Sequence, residues 1–313
     1  MPDLIRPKAL KKGDTIGITA TGSYVDQDRL KVGRFLLEAN GYQVRIHPNT
    51  FQKHKQSAGT SGEKAKALHD LLLDDEIDAI ILAAGGNRTL HMLDELDLNI
   101  CIHNPKIIMG FSDCTALLGA ITSQTGIVTF HGPTVTWFAK KNLEYKHLQI
   151  NAVFDLLQGK QTGYPLDKAS ILKKGKAEGP LIGGNLSLMM HMINTKWCPD
   201  LDGALLYLED TGDELSWIDR DLWYLRELGI LKYLSGLILG GFSLGDTGRP
   251  FEFTLDEIIT EHLQGIDIPV VTNAPFGHND MLYPLPFGIK GQLDTTGDEA
   301  RLTYECPVDT GLA

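Results

Sequence analysis

The first part of the chain repeats one pattern. A short, almost wholly apolar run is followed by a stretch whose apolar residues recur every three or four positions. The runs Thr15–Ala20, Tyr42–Ile46, Ala79–Ala84, Ile107–Gly110 and Ile127–Phe130 read as interior strands. Between them, Asp28–Asn40, Lys64–Asp74, Thr89–Asp94 and the segment beginning at Ala116 read as helices. Leu30, Phe35, Leu36 and Leu37 are expected on the buried side of the first helix, and Gly41 as its stop. Such alternation means parallel strands joined by crossover helices, an α/β architecture.

From Lys140 to Lys176 the chain turns polar, with Gly159, Gly163, Pro165 and Gly175 scattered through it and a possible helix at Leu148–Leu157. A boundary is placed here: 1–140 as an N-terminal α/β domain, 141–176 as a linker or substrate-loop region, and 177–313 as a C-terminal domain. In the last part, Gly203–Leu208, Leu234–Gly240 and Pro269–Thr272 read as strands. Ser187–Asn194, Asp219–Glu227 and Leu255–Gln264 read as helices. Gln292-Leu293 and Ala300–Tyr304 read as a closing hairpin that turns at Gly297-Asp298.

Composition narrows the function classes. With 313 residues, 42% hydrophobic and 22% charged, the chain has material for two packed domains. A net charge of −11 speaks against a nucleic-acid partner, because phosphate-binding surfaces are basic. No apolar stretch is long enough for a membrane span, and the N-terminus lacks a signal-peptide core. Cys101, Cys114, Cys198 and Cys306 lie far apart, so neither a zinc site nor a disulfide framework is indicated, and a reducing cytoplasm fits. No spacing points to a metal or a cofactor. The Gly85-Gly86 turn lacks both the dinucleotide fingerprint and the P-loop lysine.

Two serines compete for chemistry. Gly241-Phe242-Ser243-Leu244-Gly245 matches the G-x-S-x-G nucleophile pattern, but loop-forming residues follow where that mechanism needs a helix. Ser112 breaks the five-residue pattern at Cys114. It does follow a strand ending in Gly110 and precede a helix, beside unpaired helix N–H groups. Taken locally, Ser112 is either a helix cap or a nucleophile. Gly85-Gly86, at the same edge of the sheet on the neighbouring strand, favours the nucleophile, since open α/β sheets bind ligands at their carboxyl edge.

A reactive serine needs a base, and the base needs an orienting carboxylate. Among ten histidines, His278 follows Gly277 in a loop after a strand, and His131 follows a strand where it could line a cleft. Glu209 ends an otherwise apolar strand. Asp210 is its competitor, because strand neighbours face opposite ways.

Several motifs then fall in one order. They are Leu10–Asp14 with Ile16–Ala20, Gly85-Gly86 before Leu93-Asp94, Gly110–Leu117, His131-Gly132-Pro133, Gly183–Leu186, Leu208–Asp210, Ile218–Arg220, Gly240–Phe242, and Gly277-His278 ahead of Pro286–Gly288. Together they resemble the LD-carboxypeptidase family of serine peptidases, family S66, along nearly the whole chain. Its members include muramoyltetrapeptide carboxypeptidases and microcin C self-immunity peptidases. The resemblance implies a Rossmann- or flavodoxin-like parallel sheet with helices, plus a C-terminal β-rich swivelling α/β domain, in a cytoplasmic homodimer. It implies Ser112 as nucleophile, His278 as base and acid, and Glu209 as orienting carboxylate, with backbone N–H groups of Gly86 and Asp113 as oxyanion hole.

The implied reaction is hydrolysis of the terminal L,D bond of a murein tetrapeptide, with release of D-alanine in peptidoglycan recycling. Many family members carry Arg-Gly-Gly-Tyr-Gly where this chain has Ala84-Gly85-Gly86-Asn87-Arg88. Asn87 and Arg88, with Asn185, are therefore the candidate substrate-binding residues. The alternatives are an immunity-type peptidase acting on a peptidyl- or aminoacyl-nucleotide toxin, and a non-enzymatic small-ligand binder.

Overall fold

The computed structural model describes residues 2–139, 146–166, 169–243, 245 and 251–311. The first half alternates as its pattern predicts: β1 (Thr15–Ile18), α1 (Gln27–Ala39), β2 (Gln43–Ile46), α2 (Ser61–Leu73), β3 (Ala79–Ile81), α3 (Leu98–His103), β4 (Ile107–Gly110), α4 (Thr115–Thr125) and β5 (Thr129–His131). Leu90–Glu95 forms a 3-10 helix, and α3 adds a turn that the sequence pattern did not indicate. α2 opens with a reciprocal capping box between Thr60 and Glu63.

These five strands are parallel in the order β5-β4-β3-β1-β2. Both faces of the sheet are covered, which explains the unbroken apolar runs. In β3, Ala79 and Ile81 enter the main apolar core while Ile80 enters a second cluster with Leu68, Leu72, Ile108 and Leu117. On α1, Leu30, Gly33 and Leu37 form the buried stripe and Leu36 is partly buried. Phe35 departs from expectation at 66% exposed: five residues past Leu30, it lies well round the helix from that stripe.

The second half runs α5 (Lys146–Leu157), β6 (Gly163–Pro165), β7 (Ser170–Lys173), β8 (Lys176–Asn185), α6 (Leu186–Met192), β9 (Leu205–Thr211), α7 (Leu215–Glu227), α8 (Ile230–Tyr233), β10 (Gly236–Ser243), α9 (Leu255–His262), β11 (Val270–Thr272), β12 (Leu285–Phe287), β13 (Lys290–Asp294) and β14 (Arg301–Tyr304). Eight of these strands form a mixed sheet, ordered β6-β14-β13-β8-β9-β10-β11-β7. Its centre, β8 to β11, is parallel.

The stretch 141–176 is partly outside the described residues. Its described part supplies α5 and the two edge strands β6 and β7. The closing hairpin β13–β14 forms as expected. β12 leaves the second half altogether and pairs antiparallel with β5, matching Leu285 to His131 and Phe287 to Thr129. Pro286 is tolerated there because β12 is an edge strand. The two sheets are thereby tied together, and one apolar core contains residues of both, from Ile16 and Phe130 to Leu206 and Leu237.

Candidate active site

β4 delivers Ser112. After Gly110 the chain passes through extended Phe111 and turns sharply, so that Ser112 has a φ of +62°, in the left-handed region that side chains avoid. A single 3-10 turn, Ser112–Cys114, then opens into α4. This is a strand–turn–helix elbow. It leaves the serine half-buried above the sheet, with strain held by the packed elements on either side.

The glycine turn after β3 lies against that serine. A Cβ on Gly85 would stand 3.0 Å from Ser112 Cβ and 3.2 Å from its Oγ. Gly86 has a φ of +111°, and a Cβ there would meet Ser23 Oγ at 2.2 Å, so only glycine fits. Ser23 clamps the turn from the loop after β1. Its N–H donates to Gly85 O at 3.1 Å, and its Oγ accepts from Asn87 N at 3.1 Å.

Two further side chains fix the end of the turn. Lys64 of α2, 1% exposed, donates from Nζ to Arg88 O at 2.9 Å. Asp113 Oδ2 accepts from Thr89 N at 2.9 Å and Thr89 Oγ1 at 2.6 Å. Burial lowers the Lys64 ammonium to about 8, although Asp113 favours its charge. Burial likewise raises the Asp113 carboxyl, against the Thr89 hydrogen bonds and Lys64. Among the described residues, no acceptor is hydrogen-bonded to the backbone N–H of Gly86 or of Asp113.

The second sheet supplies the carboxylate and the imidazole of the expected triad. Glu209 sits near the carboxyl end of β9, in register with Asn185 of β8, and is fully buried. His278 lies in the loop after β11. Its Nδ1 donates to Glu209 Oε2 at 2.5 Å, and its backbone N–H donates to the same oxygen at 3.1 Å. Gly277 permits this close approach. Its φ is +81°, and a Cβ would fall 2.3 Å from Glu209 Cβ. Burial alone would raise the Glu209 carboxyl. The imidazoles of His131 and His278 on its two sides outweigh that and hold it down at about 2.

The His278 ring packs on Phe111, the residue before Ser112, with ring centroids 4.9 Å apart, and on Trp137 at 5.9 Å. Ser112 Oγ itself makes no hydrogen bond to His278 or to any other described residue. Serine–histidine contacts are commonly long in unliganded sites and tighten with substrate.

Asp210 faces away from this pair. It accepts from Asn185 Nδ2 at 2.8 Å, from Ser187 N and Oγ at 2.9 Å, and from Thr211 N at 2.7 Å. Asn185 is 3% exposed, and its amide is occupied on both sides, because its Oδ1 also caps α6 at Leu188 N. Asn87 and Arg88 stand exposed at the open side of the glycine turn. Ser243 ends β10 with its Oγ against Thr211 Oγ1. Residues 246–250 after it lie outside the described residues, and the next described helix, α9, starts at Leu255. Sequence reasoning missed Ser23, Lys64 and Thr89. The signal that could have found Ser23 is its place just after β1, at the same carboxyl edge as Gly85 and Ser112.

Family models for the LD-carboxypeptidase N-terminal and C-terminal domains match residues 16–132 and 178–293. The chain belongs to the LD-carboxypeptidase family, peptidase family S66. A probable murein peptide carboxypeptidase of Bacillus subtilis is 33% identical over 310 residues, covering 98% of this chain and 96% of that protein. The microcin C7 self-immunity protein MccF of Escherichia coli is 29% identical, covering 97% and 96%. Its wild-type apo structure superposes with a TM-score of 0.91 at 26% identity, covering 97% of this chain and 100% of that one. The muramoyltetrapeptide carboxypeptidase of Oxalobacter formigenes superposes with a TM-score of 0.83 at 27% identity, covering 93% and 98%. The two-domain α/β architecture is thus that of the LD-carboxypeptidases, and the chain is a serine-peptidase-family hydrolase.

Proposed function

We propose that this LD-carboxypeptidase hydrolyses the terminal L,D peptide bond of cytoplasmic murein tetrapeptides, releasing D-alanine, with Ser112, His278 and Glu209 as its triad. The observation that supports the reading is the Glu209–His278 hydrogen bond, with the His278 ring packed on Phe111, the residue before a serine held at positive φ. In the Michaelis complex His278 Nε2 takes the proton from Ser112 Oγ as that oxygen attacks the carbonyl carbon. Glu209, ionised, keeps the Nδ1 proton on its own side and stabilises the imidazolium. The tetrahedral oxyanion is received by the backbone N–H groups of Gly86 and Asp113, which have no acceptor among the described residues and cost no reorganisation.

His278 then returns the proton to the departing amine, D-alanine leaves, and water attacks the acyl-Ser112 ester by the same route in reverse. The scheme uses no metal or cofactor. Arg88, exposed beside the turn, is suited by its planar guanidinium to the terminal carboxylate of the peptide, with Asn87 next to it. The working assembly is read as a homodimer.

A second reading has support from one relative. MccF has been solved with aspartyl sulfamoyl adenosine and with glutamyl sulfamoyl guanosine, so a peptidyl- or aminoacyl-nucleotide is the competing substrate class. Parallel assays on a murein tetrapeptide and on a processed aminoacyl-nucleotide decide between them. Faster turnover of the tetrapeptide by at least tenfold in kcat/KM supports the first reading, and the reverse order supports the second.

A further inference from the structure

The centre contains a second histidine that the triad does not use. His131 closes β5, in register with Gly110 of the nucleophile's strand and with Leu285 of β12. It is 1% exposed and walled by Phe111, Tyr207 and Phe276, at ring distances of 6.0, 5.5 and 6.4 Å. Among the described residues, neither of its ring nitrogens has a hydrogen-bond partner, and neither has Glu209 Oε1. A histidine ring carries at least one N–H in either charge state, and leaving it unpaired inside a protein is costly. A buried carboxylate oxygen without a donor is costly too.

These two unpaired groups face each other. His131 Nε2 lies 3.9 Å from Glu209 Oε1, about 1 Å beyond hydrogen-bond length. The other carboxylate oxygen is already saturated by two donors from His278. The carboxylate is therefore gripped on one oxygen by the second sheet and met on the other by the first.

We infer that His131 is a positioning residue of the hydrolytic centre, its Nε2–H docking on Glu209 Oε1 so that Oε2 stays on His278. This rests on the proposed triad and extends it across the two sheets. Because His131 sits on the strand beside β4, the contact ties the carboxylate to the sheet that carries the nucleophile.

The role has an electrostatic consequence that packing alone does not. The polar groups facing Glu209 are His278 from the loop after β11, His131 from β5 and Tyr207 from its own strand. Removing the donor at Oε1 leaves more of the carboxylate's charge on the His278 side. The Glu209–His278 pair then binds a proton more tightly, and the acidic limb of activity moves to higher pH.

The test compares His131→Phe with His131→Gln. Phenylalanine keeps the ring and loses the donor, whereas glutamine keeps an N–H able to reach Oε1. His131→Phe is expected to lose about tenfold in kcat/KM, mostly through kcat, with its acidic limb shifted upward; His131→Gln is expected to restore both. Activity of the Phe variant within twofold of wild type across the pH range overturns the inference. So does equal impairment of both variants with unshifted profiles.

A measurement on the wild-type protein covers the case where a variant does not fold. Nitrogen-15 histidine NMR should find His131 Nε2 protonated and hydrogen-bonded, and an unprotonated Nε2 overturns the inference. An active wild-type protein, labelled at Ser112 by a serine-reactive phosphonate, with an unprotonated Nε2 sinks the inference alone. A wild-type protein neither active nor labelled removes the proposed triad, and this inference with it.

Discussion

Glu209 Oε2 accepts two hydrogen bonds from one residue, His278, through ring Nδ1 at 2.5 Å and through the backbone N–H at 3.1 Å. The backbone bond fixes where His278 sits, and the ring bond fixes which way it faces. With Nδ1 committed to the carboxylate, Nε2 is the nitrogen left to serve as base.

Replacing Glu209 by Gln keeps the shape and removes the charge that supports an imidazolium. The expected result is a fall in kcat of about 100-fold or more with little change in KM. Steady-state kinetics with thermal unfolding checks it. A kcat within a few-fold of wild type in a folded variant contradicts the assigned role.

Gly277→Ala tests the approach of the His278 loop to β9. The added methyl group would stand 2.3 Å from Glu209 Cβ at a residue with φ of +81°, so strain and overlap act together. A loss of about 2 kcal/mol or more in unfolding free energy is expected, with activity falling alongside it. Denaturant unfolding reads the first and D-alanine release the second. Unchanged stability would mean that the loop does not press on Glu209.

A third prediction concerns charge away from Ser112. Burial, then repulsion by Asp213 and Asp210, raises the half-buried Asp221 carboxyl from 3.8 to about 6. The folded protein therefore binds this proton more tightly than the unfolded chain. Stability is lost as pH rises from about 4 to about 6 and stays lost above. Asp221→Asn removes that penalty, so it should raise Tm at pH 8, with the gain shrinking to nothing below pH 4. A gain independent of pH contradicts the assignment.

Much of this was legible in the sequence because it is local. The elbow at Ser112 needs only a strand, a turn and a helix in succession. Glu209 stands out as a carboxylate at the end of an apolar run. His278 follows a glycine whose backbone is required by the contact with Glu209. What stayed hidden depends on partners far along the chain. β8 carries Gly179, Pro180, Gly183 and Gly184 and is not among the expected strands, yet β9 and β13 on its two sides make it a ten-residue strand. β12 crosses to the first sheet because β5 offers it an edge, which no local pattern encodes. Ser23, Lys64 and Thr89 look like ordinary loop and helix residues until the fold brings them to the glycine turn.

The central claim is that Ser112 is the nucleophile of an L,D-bond hydrolase. The most direct measurement is D-alanine release from murein tetrapeptide by the wild-type chain and by Ser112→Ala, with phosphonate labelling mapped by mass spectrometry. The account predicts release and a label on Ser112 for wild type, and loss of both, with unfolding unchanged, for Ser112→Ala. Retained release by the folded Ser112→Ala variant, or a label on Ser243 instead, would contradict it.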